Sequence, residues 1–142
     1  MKRIAAIALF VVASFLTAGT AMAQDRAVMA TIPFNFTVDG SLLPAGHYTL
    51  GSAASSPRIL RITDWDKHVR ILTVTMPNSS DQRQSNVLVF HKIGNQYFLS
   101  EIRSEASSMD VRLSTSKQEK RARTETQQAG LPINDDVIVA LY

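Results

Sequence analysis

Two apolar runs joined by a two-residue turn constrain the fold of this chain more than any other feature. Gly94-Asn95 separates residues 87–93 from residues 96–102, and glycine at the first central position suits the tight I′ or II′ turn of a β-hairpin. A loop of this length fixes the strand register. Phe90 is therefore predicted to face Leu99 across the hairpin.

Both faces of this hairpin are predicted to be covered by protein. Successive side chains of a strand point to opposite faces, and both sets are rich in apolar residues here. One face would carry Leu88, Phe90 and Leu99, and the other Val87, Val89, Phe98 and Ile102. We therefore expect the hairpin to be central in the fold, with His91 opposite Phe98.

Further strands are predicted before the hairpin. Residues 28–38 alternate between apolar and polar side chains, which indicates a half-buried strand. Pro33 within it favours an edge position, because proline cannot donate to a ladder. Residues 58–63 and 68–76 have the composition of a second hairpin. In residues 68–76 the apolar side chains shift after Ile71 from one set of alternate positions to the other, which predicts a bulge or a strand covered on both faces.

One helix and a closing strand are predicted after the hairpin. Ser116-Lys117-Gln118-Glu119 matches a capping box, and helix formers continue to Gln128, so residues 116–128 should be helical. This helix has almost no apolar stripe and should lie on the surface. Residues 136–142 are apolar enough to form a final strand. The chain is thus predicted to be mainly β, an antiparallel β-sandwich or partly open barrel with one polar C-terminal helix before a final strand.

The first 23 residues have the pattern of a secretory signal peptide. Two basic residues precede an apolar run, and Ala21 and Ala23 offer small side chains before Gln24. Cleavage there would leave one β-rich domain, residues 24–142. The apolar run is shorter than the roughly 20 residues that a membrane span requires. We therefore expect a periplasmic or secreted protein whose mature chain has no transmembrane segment.

Composition excludes several classes of function. The formal charge of +3 includes Lys2 and Arg3, so a chain cleaved after Ala23 would carry +1, which gives no electrostatic basis for binding nucleic acid. Cysteine is absent, which excludes disulfides and thiolate nucleophiles. The predicted helix contains a basic run that acids interrupt, and we interpret it as a solvated helix face. Its basic residues are Lys117, Lys120, Arg121 and Arg123.

Several segments carry distinctive combinations of turn residues and apolar strand residues. They are IPFNFTV at residues 32–38, LPAGHYTL at residues 43–50, and VLVFHK at residues 87–92 with YFLSE at residues 97–101. These patterns resemble an uncharacterised family of small exported β-rich proteins common in acidobacteria, in which an aspartate is usual where Asn35 stands here. The resemblance implies a secreted β domain and brings no catalytic residue with it.

The three histidines are the first candidates for a site. His47, His68 and His91 each fall on a predicted strand, so they could in principle converge on a metal. No His-x-His or His-Glu-x-x-His spacing occurs, which favours ordinary strand histidines. A Gly-x-Ser-x-Gly nucleophile motif is also absent from the sequence. We therefore predict no catalytic residue, no metal ligand and no cofactor.

A second candidate lies at the turn Asp64-Trp65-Asp66. An aromatic side chain between two carboxylates suits a sugar ring or a calcium ion, although a tryptophan folded over a neighbouring strand is the commoner outcome. Three further acids lie near the hairpin without forming the facing pair that glycoside hydrolysis requires. They are Glu101, Glu105 and Asp110.

Two functions remain open on the sequence. The first is a non-enzymatic binding or structural protein of the cell envelope, with an unknown envelope protein or glycan as its partner. The alternative is a small extracytoplasmic hydrolase or carbohydrate-binding protein that uses Trp65 or the histidines. The alternative requires a cleft with converging polar groups, which the first does not.

Overall fold

The structure is a computed structural model that describes residues 27–53, 56–64, 66–79, 85–133 and 135–142. Within these ranges lie ten strands and one helix. In chain order they are β1 (Ala27–Ile32), β2 (Phe36–Val38), β3 (Ser41–Leu43), β4 (Gly46–Ala53), β5 (Ser56–Asp64), β6 (Val69–Pro77), β7 (Val87–Ile93), β8 (Gln96–Ser104), β9 (Met109–Leu113), α1 (Lys117–Gln128) and β10 (Asp135–Ala140). The predicted signal peptide, residues 1–23, and Trp65 lie outside the described residues.

The strands form an open sheet that is not closed into a barrel. Its hydrogen-bonded order is β1-β4-β5-β6-β9-β8-β2-β3, with β7 beside β8 and β10 beside β7. The pairings are antiparallel except for β2 with β8. The predicted fold class, mainly β with one polar helix before a final strand, is confirmed. At one point Met29 and Tyr142 exchange two backbone hydrogen bonds of 3.1 and 3.0 Å, which bring the end of the chain to β1.

Strand β6 joins the two parts of the sheet. From Val69 to Val74 it pairs with β5, and from Thr75 to Pro77 it pairs with β9. Because β6 changes partner, its last residues, Thr75 to Pro77, have no paired residue on β5. This opening positions the cavity described below.

The first predicted strand is split in two around Pro33. Residues 27–32 form β1 with every second residue buried, as the alternation predicts, and β1 stands first in the strand order, at the edge that proline favours. The chain then leaves the sheet and returns at Phe36 as β2. A proline cannot continue a ladder, so one continuous strand over residues 28–38 was the wrong interpretation.

The central hairpin has the predicted register at its turn. Phe90 lies opposite Leu99 and His91 opposite Phe98, and Phe90 is fully buried against the rings of Phe34 and Phe36. A bulge at Val89/Phe90 shifts the remaining pairs. The bulge brings Ile102 opposite Leu88 in the main core, so its predicted position on the other face was wrong.

The shift of apolar positions within β6 produces neither of the predicted outcomes, a bulge or a strand covered on both faces. The pairing of β5 with β6 is regular over Val69 to Val74, without a bulge. Thr73 and Thr75 are buried, whereas Leu72, Val74 and Met76 are 59%, 66% and 42% exposed. The strand is therefore covered on one face only, with Val69 and Ile71 packed against the core and Leu72, Val74 and Met76 on the uncovered face.

Helix α1 begins and ends close to the predicted residues. Ser116 is its N-cap and accepts a hydrogen bond from the Glu119 amide at 3.1 Å, which is one half of the capping box. Ala122 packs with Ile93 and Phe98 in a small second core. The helix lies on the surface as predicted, but Glu119 and Ala122 on its inner side are buried against the hairpin.

Candidate functional site

The structure does not gather the three histidines. His47 is exposed, with Nδ1 2.8 Å from the Thr31 hydroxyl. His68 stands in the turn before β6 with a φ of 54°, and not on a strand as predicted. His91 lies on β7 beneath α1. Among the described residues, no three side chains of the metal-ligating types lie close enough together to hold an ion.

His91 belongs to a charged cluster under the helix. Its Nδ1 lies 2.8 Å from Glu119 Oε1 and 3.1 Å from Arg123 Nη2, and Arg123 also donates to Glu119 Oε1 at 3.1 Å. On the other side of the ring, Nε2 is 3.9 Å from Asp136. Glu119 is 5% exposed.

The partners of Glu119 set its ionisation. Burial raises the pKa of this carboxyl, but hydrogen bonds from His91 and Arg123, together with their charges, outweigh that effect and hold the pKa below its usual value. A buried carboxylate that is ionised and held by His91 and Arg123 through Oε1 fastens the helix to the sheet.

The Asp64 turn is also built as a structural element. Asp64 Oδ1 accepts hydrogen bonds from the amides of Asp66 and Lys67 at 2.9 and 3.1 Å, and Lys67 Nζ donates to the Ala45 carbonyl at 2.8 Å. The carboxylate thus caps its own turn and the lysine ties that turn to the loop before β4. Asp66 is exposed, and Trp65, the predicted sugar contact, lies outside the described residues.

Tyr48 lies beside this turn. Its hydroxyl donates to the Pro44 carbonyl at 2.6 Å, and its ring contacts Phe36 edge to face. Burial and the nearby negative charge of Asp64 raise the pKa of Tyr48 to about 12. The hydroxyl therefore stays protonated at neutral pH as a hydrogen-bond donor to the backbone.

A cavity of about 270 Å³ opens where β6 changes partner. Its walls come from the end of β4, the start of β5, the end of β6, and the β8–β9 turn with β9. Both strands carry a proline at the opening, Pro57 on β5 and Pro77 on β6. Proline has no backbone N–H, so neither residue can donate a hydrogen bond that would join the two strands there. Met76, Met109 and Val111 supply apolar surface.

Two polar atoms at this cavity lack partners. Ser107 lines the cavity and is 8% exposed, and its hydroxyl oxygen is buried without a hydrogen bond within the described part of the chain. The same holds for Oδ1 of Asp110, whose residue also lines the cavity. Leaving a buried polar group unpaired costs about 1–3 kcal/mol. Such atoms are satisfied when an ordered water, an ion or a ligand supplies the missing partner.

The turn that carries Ser107 is held under backbone strain. Ser108 has a φ of 50°, a left-handed conformation that costs energy for any residue except glycine. Its amide donates to the Glu105 carbonyl at 3.1 Å, and the Ser107 amide donates to Ser104 Oγ at 3.3 Å. These bonds fix the backbone of the turn while the Ser107 hydroxyl stays unused.

The polar side of the site extends beyond the cavity. Ser108 and Asp110 also border a second depression of about 410 Å³, whose other walls are Asn78, Ser104 and Glu105. The third acid near the hairpin, Glu101, is occupied, because it accepts hydrogen bonds from Arg103 and Asn78. Of the three acids, Asp110 is thus the one whose carboxylate oxygen is buried and unpaired at a cavity.

No family model, curated protein or solved structure matches this chain. The candidate site therefore depends on its own geometry. In the part of the chain that the structure describes, α1 is too short and too polar to cross a bilayer, so no membrane-spanning helix is present there.

Proposed function

We propose that this chain is an exported, non-enzymatic binding protein of the cell envelope, and that the cavity between β5, β6 and β9 takes a small ligand. The observation that carries the proposal is the buried pair of unpaired polar atoms, Ser107 Oγ and Asp110 Oδ1, at a cavity with apolar walls. Small-molecule sites combine an apolar lining with a few placed polar groups in this way.

The unpaired atoms define the chemistry of the ligand. A carboxylate oxygen can only accept a hydrogen bond, and a serine hydroxyl can accept or donate. The ligand should therefore have an apolar body and a donor group at one end, and an ammonium group suits a buried carboxylate best because the bond is charge-assisted. A volume of about 270 Å³ suits a molecule of several carbon atoms.

Binding is favoured over catalysis by the composition of the walls. Ser107 and Ser108 line the cavity together with Asp110, but none of the described residues that line it is a histidine or a lysine. A serine nucleophile needs such a base within hydrogen-bond reach. We rank the hydrolase alternative second, because His47 and His91 contact Thr31 and Glu119, and Asp64 Oδ1 accepts hydrogen bonds from its own turn.

Primary alkylamines from propylamine to hexylamine are the probe for this proposal, with the matching alkyl carboxylates as control ligands. We expect the amines to shift the NMR amide signals around Ser107 and Asp110. Asp110→Asn should weaken their binding by about tenfold or more, because a charged hydrogen bond contributes about 1.5–3 kcal/mol.

The control variant is Asp66→Asn, which changes an exposed carboxylate outside the cavity and should leave the affinity unchanged. Equal binding of amines and carboxylates would contradict the proposal. So would an Asp110→Asn protein that binds the amines as tightly as the wild type.

Export is tested separately by the mass of the protein recovered from an expressing bacterium. We expect a chain that begins at Gln24 in the extracytoplasmic fraction, because Ala21 and Ala23 present the small side chains that the peptidase accepts. A chain that retains Met1, or one found only in the cytoplasm, would count against export.

A further inference from the structure

The outward side of four neighbouring strands forms a broad surface, which we call the outer face. It comprises the outward-pointing residues of β1, β4, β5 and β6. The strand pairing aligns them in rows, for example Met29 beside Thr49, and Arg61 beside Leu72. No other described element covers these residues, so the outer face is open to solvent over β6.

Large apolar side chains are concentrated at one end of the outer face. Leu72, Val74 and Met76 occupy alternate positions along β6 at 59%, 66% and 42% exposure, whereas Met29, 51% exposed, lies apart from them on β1, three strands away. Ile59 lies opposite Val74 on β5 and extends the patch sideways. Single exposed apolar residues are ordinary, but a continuous row of them marks an interaction surface.

The ionisable side chains at the outward positions of these four strands are arginines and one histidine. Arg61 lies opposite Leu72, Arg70 precedes Leu72 on the same strand, and His47 stands on β4. No aspartate or glutamate takes an outward position on these four strands, all of whose residues are described. The basic border ends at β9, because Arg112 lies opposite Met76 on one side and opposite Glu101 of β8 on the other.

We infer that the outer face docks on the surface of a bilayer that contains anionic phospholipid. An apolar row bordered by arginines is complementary to such a surface, because the apolar side chains enter the interface while the guanidinium groups contact phosphates. Tyr142, 68% exposed and hydrogen-bonded to Thr31 at 2.8 Å, stands at the β1 edge of the face. Tyrosine is favoured at membrane interfaces.

A second copy of the chain is a poorer partner for this surface. A two-fold symmetric contact places the same patch on both sides. Arg70 would then meet four strands that offer no outward carboxylate in return. Like charges brought together at an interface oppose association.

Vesicle co-sedimentation tests the inference with the chain purified as the expressing cell delivers it, with the same N-terminus in every variant. The vesicles are phosphatidylcholine alone, or phosphatidylcholine with about one third phosphatidylglycerol. We expect binding to the anionic vesicles and its loss at high salt. Arg61→Gln with Arg70→Gln should reduce the partition coefficient by about tenfold or more, since each basic residue contributes about 1 kcal/mol.

The apolar row is tested by Leu72→Ser with Val74→Ser, which should also reduce partitioning by about tenfold. Leu42→Ser and Arg121→Gln are the matched controls, because both residues are exposed but lie on β3 and α1. Equal binding of face variants and controls overturns the inference, as does equal binding to both kinds of vesicle. Dimerisation through the face, or binding to an acidic polypeptide without binding to vesicles, also overturns it.

Discussion

The hairpins β7–β8 and β5–β6 both contain many apolar residues but differ in what covers them. The outward residues Ile93 and Phe98 of the first are buried beneath Ala122 of α1. The second has no such cover, so Leu72 and Val74 remain 59% and 66% exposed. The difference shows that a neighbouring element, and not apolar content, decides whether the second face of a strand is buried.

The largest expected effect lies in the β7–β8 hairpin. Phe90→Ala should lower the free energy of unfolding by about 3–5 kcal/mol, because Phe90 is fully buried among aromatic rings and truncation leaves a cavity. Urea melts measure the loss. Arg121→Ala, on the exposed side of α1, should change stability by less than about 0.5 kcal/mol, and equal losses would show that this side of the helix also docks.

Glu119→Gln tests how strongly α1 is held over the β7–β8 hairpin. We expect a loss of about 1–3 kcal/mol at neutral pH, because the substitution removes the charge that His91 and Arg123 stabilise. Glu125→Gln, exposed on the same helix, is the control.

The difference in stability between wild type and Glu119→Gln should depend on pH, and the lowered pKa of Glu119 fixes the direction of that dependence. The pKa of Glu119 is lowered in the folded state, so the ionised carboxylate stabilises the fold above about pH 4.5, and this contribution disappears as the pH falls through the lowered pKa. The gap between wild type and Glu119→Gln should therefore close in acid. A gap that is constant between neutral and acidic pH would contradict the assignment of the cluster.

Tyr48→Phe tests the hydrogen bond between β4 and the loop that precedes it, beside the β5–β6 turn. Loss of the hydrogen bond to Pro44 should cost about 1 kcal/mol at neutral pH. Because the pKa of Tyr48 is raised from 10.0 to about 12 in the folded state, the wild type should lose stability as the pH rises between these values, and the variant should lack that loss. Tyr142→Phe, at an exposed position, is the control in the same alkaline melts.

The smallest expected effect lies on the uncovered face of β6. Val74→Thr should change the free energy of unfolding by less than about 0.5 kcal/mol, because Val74 is exposed and threonine keeps the branched shape. The matched variant Ile62→Thr, on the buried face of β5, should cost about 2 kcal/mol or more. Similar losses from both would show that the outer face is covered after all.

The candidate site was accessible to sequence reasoning only in part. Asp110 could be named as an acid near the hairpin, but Ser107 has no local motif that separates it from other serines. The cavity walls come from segments far apart in the chain, and they meet only because β6 changes partner after Val74. No periodicity within one segment can indicate such an opening.

Local patterns in the sequence determined the alternation of β1, the register of the Gly94-Asn95 turn, the helix that begins after Ser116, and the mainly β class. Each depends on residues adjacent in the chain, whose turn geometry and alternation act locally. Tertiary structure alone decided the bulge that turned Ile102 inward, the exposure of Leu72 and Val74, and the meeting of Ser107 with Asp110 at one cavity. These features depend on which distant strand or helix lies against each face, because burial is a property of the neighbours and not of the segment itself.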